Sequence, residues 1–406
     1  AKLLRSHASF VEQHQQAEAR ESVGAGARFV SFRDLANEFL GEEQRQRFCD
    51  ERYIDYSRFK QLYRNLRGER DPQPCQLPEA RRYSPEIAWH VIRSYIKGYV
   101  PDGSEDYLDP MDFDELPDDH RTVTSDVYKV IYRTIWEQWY KRITTEEGYW
   151  DDQDLVRNLL LDGCFGPGYT AVFCDEAQDF TRVEVEFVRQ ISVFSRYDLP
   201  EQVQALPFLL AGDPYQTISP TGFRWESVRA AFHSGFTEVL AGYQRDQVRL
   251  RYWELTRNYR STGSIVRFCN RLLLWRKHLL DLDVSPQKPW SREEGVPAYV
   301  YMLGEAISSD DFRQKSADTT IVVPVDEGEE VTFCRDDPVL AGMMTGSQQP
   351  KNVYSASQAK GLEFDTVVVY MFGDHFSGNL DSRPTTGTSD ALELEYFLNK
   401  LYVAMT

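Results

Sequence analysis

The sequence is short of positive charge. Its 46 lysines and arginines face 64 aspartates and glutamates, a formal charge of −18 over 406 residues, which excludes whole-molecule attraction to nucleic acid. Any phosphate-binding groove has to be local. Paired cysteines are also lacking: Cys49, Cys75, Cys164, Cys174, Cys269 and Cys334 stand singly, with no CxxC among them. Neither a zinc ribbon nor a disulfide framework is indicated, and reduced structural thiols are expected. No apolar run approaches the roughly 18 residues of a membrane span, and no N-terminal stretch reads as a signal peptide. The expectation is a soluble, cytoplasmic protein, nucleoid-associated in a bacterium. No internal repeat at a period of about 20–50 residues is visible. A GxxxxGK[ST] phosphate loop is missing as well: Gly24-Ala25-Gly26-Ala27-Arg28 has no lysine, and Lys97-Gly98 has the order reversed.

The rest of the composition is that of a globular protein, with 41% hydrophobic and 27% charged residues, and the length fits two or three domains. The chain begins Ala1-Lys2-Leu3-Leu4 and stops at Ala404-Met405-Thr406 with no initiating methionine and no terminal helix cap; it reads as part of a longer protein. Ser84-Pro85 predicts the start of a helix within 80–100. Residues 122–162 read as helical, and the stripe Tyr128, Tyr132, Ile135, Trp136, Trp139 is expected in a core rather than around a cofactor. Arg28-Phe29-Val30-Ser31-Phe32 is a strand candidate. From Asp102 to Asp119 acids accumulate without a lysine or arginine; a solvated loop is expected, with an acidic docking segment as the alternative.

Four apolar runs carry the strand pattern: Tyr169–Cys174, Pro207–Ala211, Thr320–Val323 and Thr366–Tyr370. Continuous apolar strands separated by helices predict a parallel sheet covered on both faces, with ligands at the carboxyl ends of its strands. Charged residues fall at those ends. Asp175-Glu176-Ala177-Gln178-Asp179 follows the first run, and Gly212-Asp213-Pro214-Tyr215-Gln216 follows the second. Adjacent carboxylates at a strand end suit Mg²⁺ and a water-activating base, although acids also serve simply to complement a helix N-terminus. Gln216 could sense a terminal phosphate, while Gly-Asp-Pro alone is a turn. In Leu255-Thr256-Arg257-Asn258-Tyr259-Arg260-Ser261, a ring and a guanidinium suit a base and a transferring phosphoryl group. Val353–Phe364 and Leu398–Thr406 complete the set.

In this order and spacing the five segments resemble the motifs of the UvrD/Rep/PcrA-like group of superfamily 1 DNA helicases. Asp175–Asp179 is similar to motif II, Gly212–Gln216 to motif III, Asn258–Ser261 to motif IV, Lys360-Gly361-Leu362-Glu363-Phe364 to motif V, and Leu401–Thr406 to the start of motif VI. The resemblance implies an α/β fold of two RecA-like parallel-sheet domains of the P-loop NTPase type. The first would occupy 1–250, truncated at its N-terminus and with a helical insertion around 50–160. The second would occupy 251–406, truncated at its C-terminus, with a small or absent accessory insertion around 282–350. It implies an ATP-dependent helicase or translocase moving 3′ to 5′ on single-stranded DNA or on DNA with a single-stranded tail, with ATP and Mg²⁺ as cofactors.

Residue by residue, the resemblance gives Mg²⁺ to Asp175, the general base to Glu176, γ-phosphate contact to Gln216, adenine stacking to Tyr259 and an arginine finger to Arg260. Gly361 and Glu363 would touch the nucleotide. Phe223, Arg224, Trp225 and Ser357 are the DNA-contact candidates. Without the phosphate loop, and with the chain ending before the arginine that closes motif VI, efficient ATP hydrolysis by this polypeptide is not expected. Two other readings remain open. One is a nucleic-acid-binding scaffold with a degenerate ATPase core. The other is a metal-dependent nuclease using Asp175, Glu176, Asp179 and Asp213, which requires acids converging within about 4 Å of both ions.

Overall fold

The computed structural model describes residues 28–66, 77, 81–99, 106–163, 165, 169, 171–192, 208–218, 251–282, 284–290, 295–296, 298–300, 312, 319–344, 350–376 and 383–406. Helices dominate. Helix α1 (Phe32–Glu38) starts where a strand was expected, because the Ser31 hydroxyl caps it by accepting from the Asp34 amide at 3.2 Å; an N-cap bond of this kind outweighs the local β-propensity of Phe and Val. Helix α2 is Glu42–Arg47 and α3 is Tyr56–Leu66. Helix α4 (Pro85–Val91) opens as the sequence indicates, with Ser84 as N-cap and proline in the first turn. It runs on through a wide π-type turn, Ile92–Ile96, closed by the Lys97 amide donating to the Ile92 carbonyl at 2.9 Å.

Helix α5 (Ser125–Thr145) has the same widening over Ile131–Tyr140. Its stripe is core: Tyr128, Ile135 and Trp136 are fully buried, Trp139 nearly so, and Tyr132 packs at the edge. They pack with Phe59 and Tyr63 of α3 and with Ile87, Trp89 and Ile92 of the α4 segment in one aromatic-rich cluster, which also takes in Leu392 from the far end of the chain. Helix α6 (Asp152–Asp162) is capped by Asp151 and ends on Gly163 in the left-handed conformation, the usual helix stop. The Asp102–Asp119 run lies only partly within the described residues; there, Pro110–Glu115 forms a short helix capped by Asp109.

The strands are brief. β1 (Val172–Cys174) pairs in parallel with β2 (Phe208–Leu210), and helix α7 (Arg182–Gln190) lies between them in sequence. β3 (Arg257–Asn258) pairs in parallel with β4 (Lys288–Pro289) across helix α8 (Gly263–Leu280). A third sheet has the order β6-β5-β7, with β5 (Thr320–Val323) between β6 (Val353–Ser355) and β7 (Val367–Val369), all parallel. The short α9 (Ala356–Ala359) follows β6, and α10 (Ser389–Met405) closes the chain.

This corrects the expected fold class. The described sheets hold two, two and three strands, in a mostly helical chain, not two RecA-like parallel sheets. Phe173 and Leu209 are 71% and 47% exposed, so the β1–β2 pair is not covered on both faces. A short apolar run reads the same whether it supplies two ladder bonds or sits in a broad sheet, and periodicity cannot tell these apart. The described cysteines, Cys49, Cys174, Cys269 and Cys334, are free thiols. No helix among the described residues is long and apolar enough to cross a membrane.

Two charge clusters hold the helices. Lys97, fully buried, points its ammonium at Asp151 (2.6 Å) and Asp154 (2.5 Å), and the Tyr140 hydroxyl donates to the same Asp151 oxygen at 2.8 Å. One cation shared by two carboxylates leaves burial and the neighbouring charge to push Asp154 up to about 6. The second cluster joins distant parts of the chain. Asp326, just past β5, lies between Lys60 of α3 and Lys400 of α10 (2.7 Å), while Lys400 also meets Glu86 (2.6 Å) and Glu329 meets Lys60 and Arg64 at 2.8 Å. Asp326 is held well below the usual carboxylate range: its burial would raise it, but the two ammonium groups outweigh that.

Replacing Lys97 by methionine strands two buried carboxylates. Urea denaturation should show a loss of about 3–5 kcal/mol; a loss under about 1 kcal/mol would mean the ammonium is dispensable. Because Asp154 is raised on folding, the native state keeps a proton that the unfolded chain releases. Stability should therefore fall as pH rises from about 4 to about 6. Asp154→Asn keeps the cap acceptor and should flatten that decline, which unfolding midpoints across the window would reveal.

Candidate functional site

The carboxyl ends of β1 and β2 meet because the strands are parallel and in register, Cys174 opposite Leu210. Beyond them the Ala211 amide donates to the Cys174 carbonyl and the Ala177 amide to the Ala211 carbonyl, both at 2.8 Å. The two acidic turns are thereby fixed side by side. Glu176 sits at φ 54°, ψ 38°, the left-handed region that costs a non-glycine residue roughly 1–2 kcal/mol. Such strain persists only where the surroundings hold it. Here the fully buried Gln178 does so: its amide NH₂ donates to the Glu176 carboxylate, and its carbonyl oxygen accepts from the Asp213 amide at 3.1 Å. Gly212 leans on the same side chain; a Cβ there would collide with the Gln178 carbonyl oxygen and approach the Gln178 and Ala177 amides at 3.1 and 3.2 Å.

Asp213 folds its own turn. One oxygen accepts from the Tyr215 amide at 2.9 Å and the other from the Gln216 side-chain amide at 3.0 Å. Burial pushes its carboxyl above the ordinary value. Behind the turn, Asn399 of α10 donates to the Thr217 carbonyl at 2.8 Å, and Arg276 of α8 lies 5.0 Å from the Tyr215 ring while donating to Asn399. Arg93, from the wide turn after α4, braces the first acidic turn: it donates to the Asp179 carbonyl at 3.3 Å and pairs with the buried Glu184 at 3.1 Å.

Across from these turns, Ser355 caps α9, and the chain then passes through Lys360 into Gly361, which takes φ 75°. Lys360 reaches Asp179 at 2.7 Å and Glu176 at 3.4 Å. Burial raises the Asp179 carboxyl, and the Lys360 ammonium opposes that shift. Three residues on, Glu363 pairs with Arg260 at 2.8 Å. Arg260 is aimed by Asn258, whose side-chain oxygen accepts from the Arg260 and Ser261 amides at 3.0 and 2.8 Å.

A continuous set of contacts thus runs from Gln216 through Asp213, Gln178, Glu176 and Lys360 to the loop that carries Glu363, and through Glu363 to Arg260 after β3. Asp175 is exposed and accepts from the Glu176 amide at 3.0 Å. Tyr259 turns elsewhere, its ring 4.8 Å from that of Trp290. Ser357 is half-buried within α9. Phe223, Arg224 and Trp225 lie outside the described residues. Among the described residues no three or more acids, histidines or cysteines converge as a metal site would require; of the four carboxylates of the nuclease reading, Glu176 and Asp179 meet Lys360 instead.

The sequence pointed to Glu363 but not to Lys360 as the charge that closes the cluster, nor to Gln178 as the strut between the two turns. A neutral amide at Gln178 between the acids Glu176 and Asp179 was the faint signal in the sequence. For Arg93 there was none, since it lies more than 80 residues upstream of the carboxylates it supports.

No protein-family model matches the chain. It is similar to the human TPR and ankyrin repeat-containing protein 1, 22% identical over 316 residues, covering 71% of this chain and 10% of that protein. The chain therefore spans about a tenth of the length of the relative it matches. These findings, with the small sheets, overturn the resemblance to superfamily 1 helicases and with it the reading as a DNA helicase or P-loop motor.

The Lys360 link is open to test. A double-mutant cycle of Lys360→Met and Asp179→Asn, read by urea denaturation, should return a favourable coupling of about 1 kcal/mol, modest because the Asp179 side chain remains 34% exposed. Strict additivity would show the contact to be energetically empty.

Proposed function

We propose that the chain is a nucleic-acid-binding scaffold built on a degenerate ATPase core. The observation that carries this reading is the internal neutralisation of the acidic cluster. Lys360 occupies Glu176 and Asp179, and Glu363 occupies Arg260, so groups that could meet a nucleotide already meet each other. The helical build of the chain and its likeness to a repeat-containing protein support a scaffold role. Free thiols support the cytoplasm as its compartment.

The core retains part of a nucleotide site. Asp175 and Glu176 suit Mg²⁺, and Lys360, Gln216 and Arg260 suit phosphate oxygens. The Arg260–Glu363 pair is largely exposed and would yield cheaply to a ligand. When bound, Mg²⁺ would neutralise phosphate charge. On this reading the 406 residues, which contain no GxxxxGK[ST] loop to cradle the β- and γ-phosphates, hold ATP only weakly by themselves.

Fluorescence anisotropy with labelled oligonucleotides tests the reading. Binding should occur without ATP, weaken steeply as salt rises, and survive Glu176→Gln unchanged. Hydrolysis of ATP should be no faster with the strand than without it. Absence of binding at low salt, or a tenfold stimulation of hydrolysis by the strand, would defeat the proposal.

A further inference from the structure

The β3–β4 ribbon stands apart from the acidic cluster in its chemistry. Its parallel register sets Arg257 beside Lys288 and Asn258 beside Pro289. The Lys288 amide donates to the Thr256 carbonyl at 2.7 Å and the Trp290 amide to the Asn258 carbonyl at 2.8 Å. Side chains alternate along a strand, so Arg257, Tyr259, Lys288 and Trp290 share one face. The other face belongs to the protein: Asn258 donates to the Gln287 side chain at 2.8 Å, and Asn270 of α8 holds the Gln287 backbone through two bonds, at 2.8 and 2.9 Å. The ribbon is thus pinned from behind and open in front.

The open face is built of rings and cations. Tyr259 and Trp290 are 65% and 56% exposed, their centroids 4.8 Å apart at 36°, and the Arg257 guanidinium lies 5.4 Å from the Trp290 ring centre. Arg257 and Lys288 are both exposed, and neither pairs with a carboxylate among the described residues. In a chain of charge −18 two cations without acid partners beside two solvent-facing rings make a locally basic, aromatic patch. Aromatic planes that accept bases, flanked by cations that accept phosphates, suit a single strand, whereas a duplex hides its base faces.

The geometry points to the Arg257–Tyr259–Lys288–Trp290 face as a docking surface for single-stranded nucleic acid, Trp290 and Tyr259 stacking on bases while Arg257 and Lys288 neutralise the backbone. This rests on the reading of the chain as a nucleic-acid-binding scaffold, and it assigns Tyr259 to a strand rather than to the adenine of a mononucleotide. Recognition through base planes and phosphates is indifferent to the sugar, so RNA and DNA strands of one sequence bind alike.

Anisotropy titrations with single-stranded DNA, single-stranded RNA and duplex DNA, on the whole chain and on Trp290→Ala, Trp290→Phe and Lys288→Glu, test this. Both single strands should bind within a few-fold of each other and at least about tenfold more tightly than the duplex. Trp290→Ala should weaken strand binding about tenfold, Trp290→Phe should restore most of it, and Lys288→Glu should lower the salt slope by about one or more. Both side chains are exposed, so unfolding midpoints should not move. If the unaltered chain binds strands while the variants bind them equally well, this face is not the surface and the scaffold reading stands. If the unaltered chain binds no nucleic acid, the scaffold reading itself fails. Displacement of the strand by millimolar ATP would make the face a mononucleotide site and overturn the inference.

Discussion

The position of Asp326 between Lys60 and Lys400 is the constraint on which the rest depends. Lys60 comes from the early helical part, Lys400 from the last helix and Asp326 from the turn after β5. Each is largely buried, so none could be left alone without a penalty of several kcal/mol. The mutual requirement fixes the β6-β5-β7 sheet against the helices. His90 reinforces the joint, its ring set between the Thr122 and Tyr396 hydroxyls at 2.6 and 2.8 Å. With that joint set, the loop after α9 arrives where Lys360 can reach the turn after β1.

The acidic cluster is a compromise between two demands. Burial of Asp179 and Asp213 favours their neutral forms, while Lys360, the Tyr215 amide and the Gln216 side chain reward the charged ones. Glu176 adds a backbone held in an unfavourable region, retained because Gln178 grips both turns. At the rim the cost is smaller. Arg260 and Glu363 keep much of their solvent, and their pairing is a weak preference that a competing anion could replace.

Much of the helical part was legible in the sequence. Ser84-Pro85 marked a true helix start, and the Tyr128–Trp139 stripe marked a true core, because both signals are local. The four apolar runs each hold a strand, but β3, β4 and β6 lie outside them, the Arg28–Phe32 candidate opens a helix instead, and the number of partners did not follow from the runs. Thr320–Val323 has a neighbour on each side, whereas Val172–Cys174 pairs only with β2 among the described strands. Sheet width is decided by segments distant in sequence, and hydrophobicity carries no record of it. The same limit applies to the site. Glu176 and Arg260 were visible as chemistry, while Lys360 as their neutralising neighbour, and Trp290 beside Tyr259, depend on contacts across dozens to nearly two hundred residues.

Two glycines at the cluster resist a side chain for opposite reasons. Gly361 has open space around it, and only its torsion excludes a side chain. Gly212 is the reverse: its backbone is ordinary, but the Gln178 amide fills the volume a methyl would need. The gap between the two carboxylate-bearing turns is therefore gauged by a missing carbon: a methyl at 212 would displace the Gln178 side chain that ties Glu176 to the Asp213 amide.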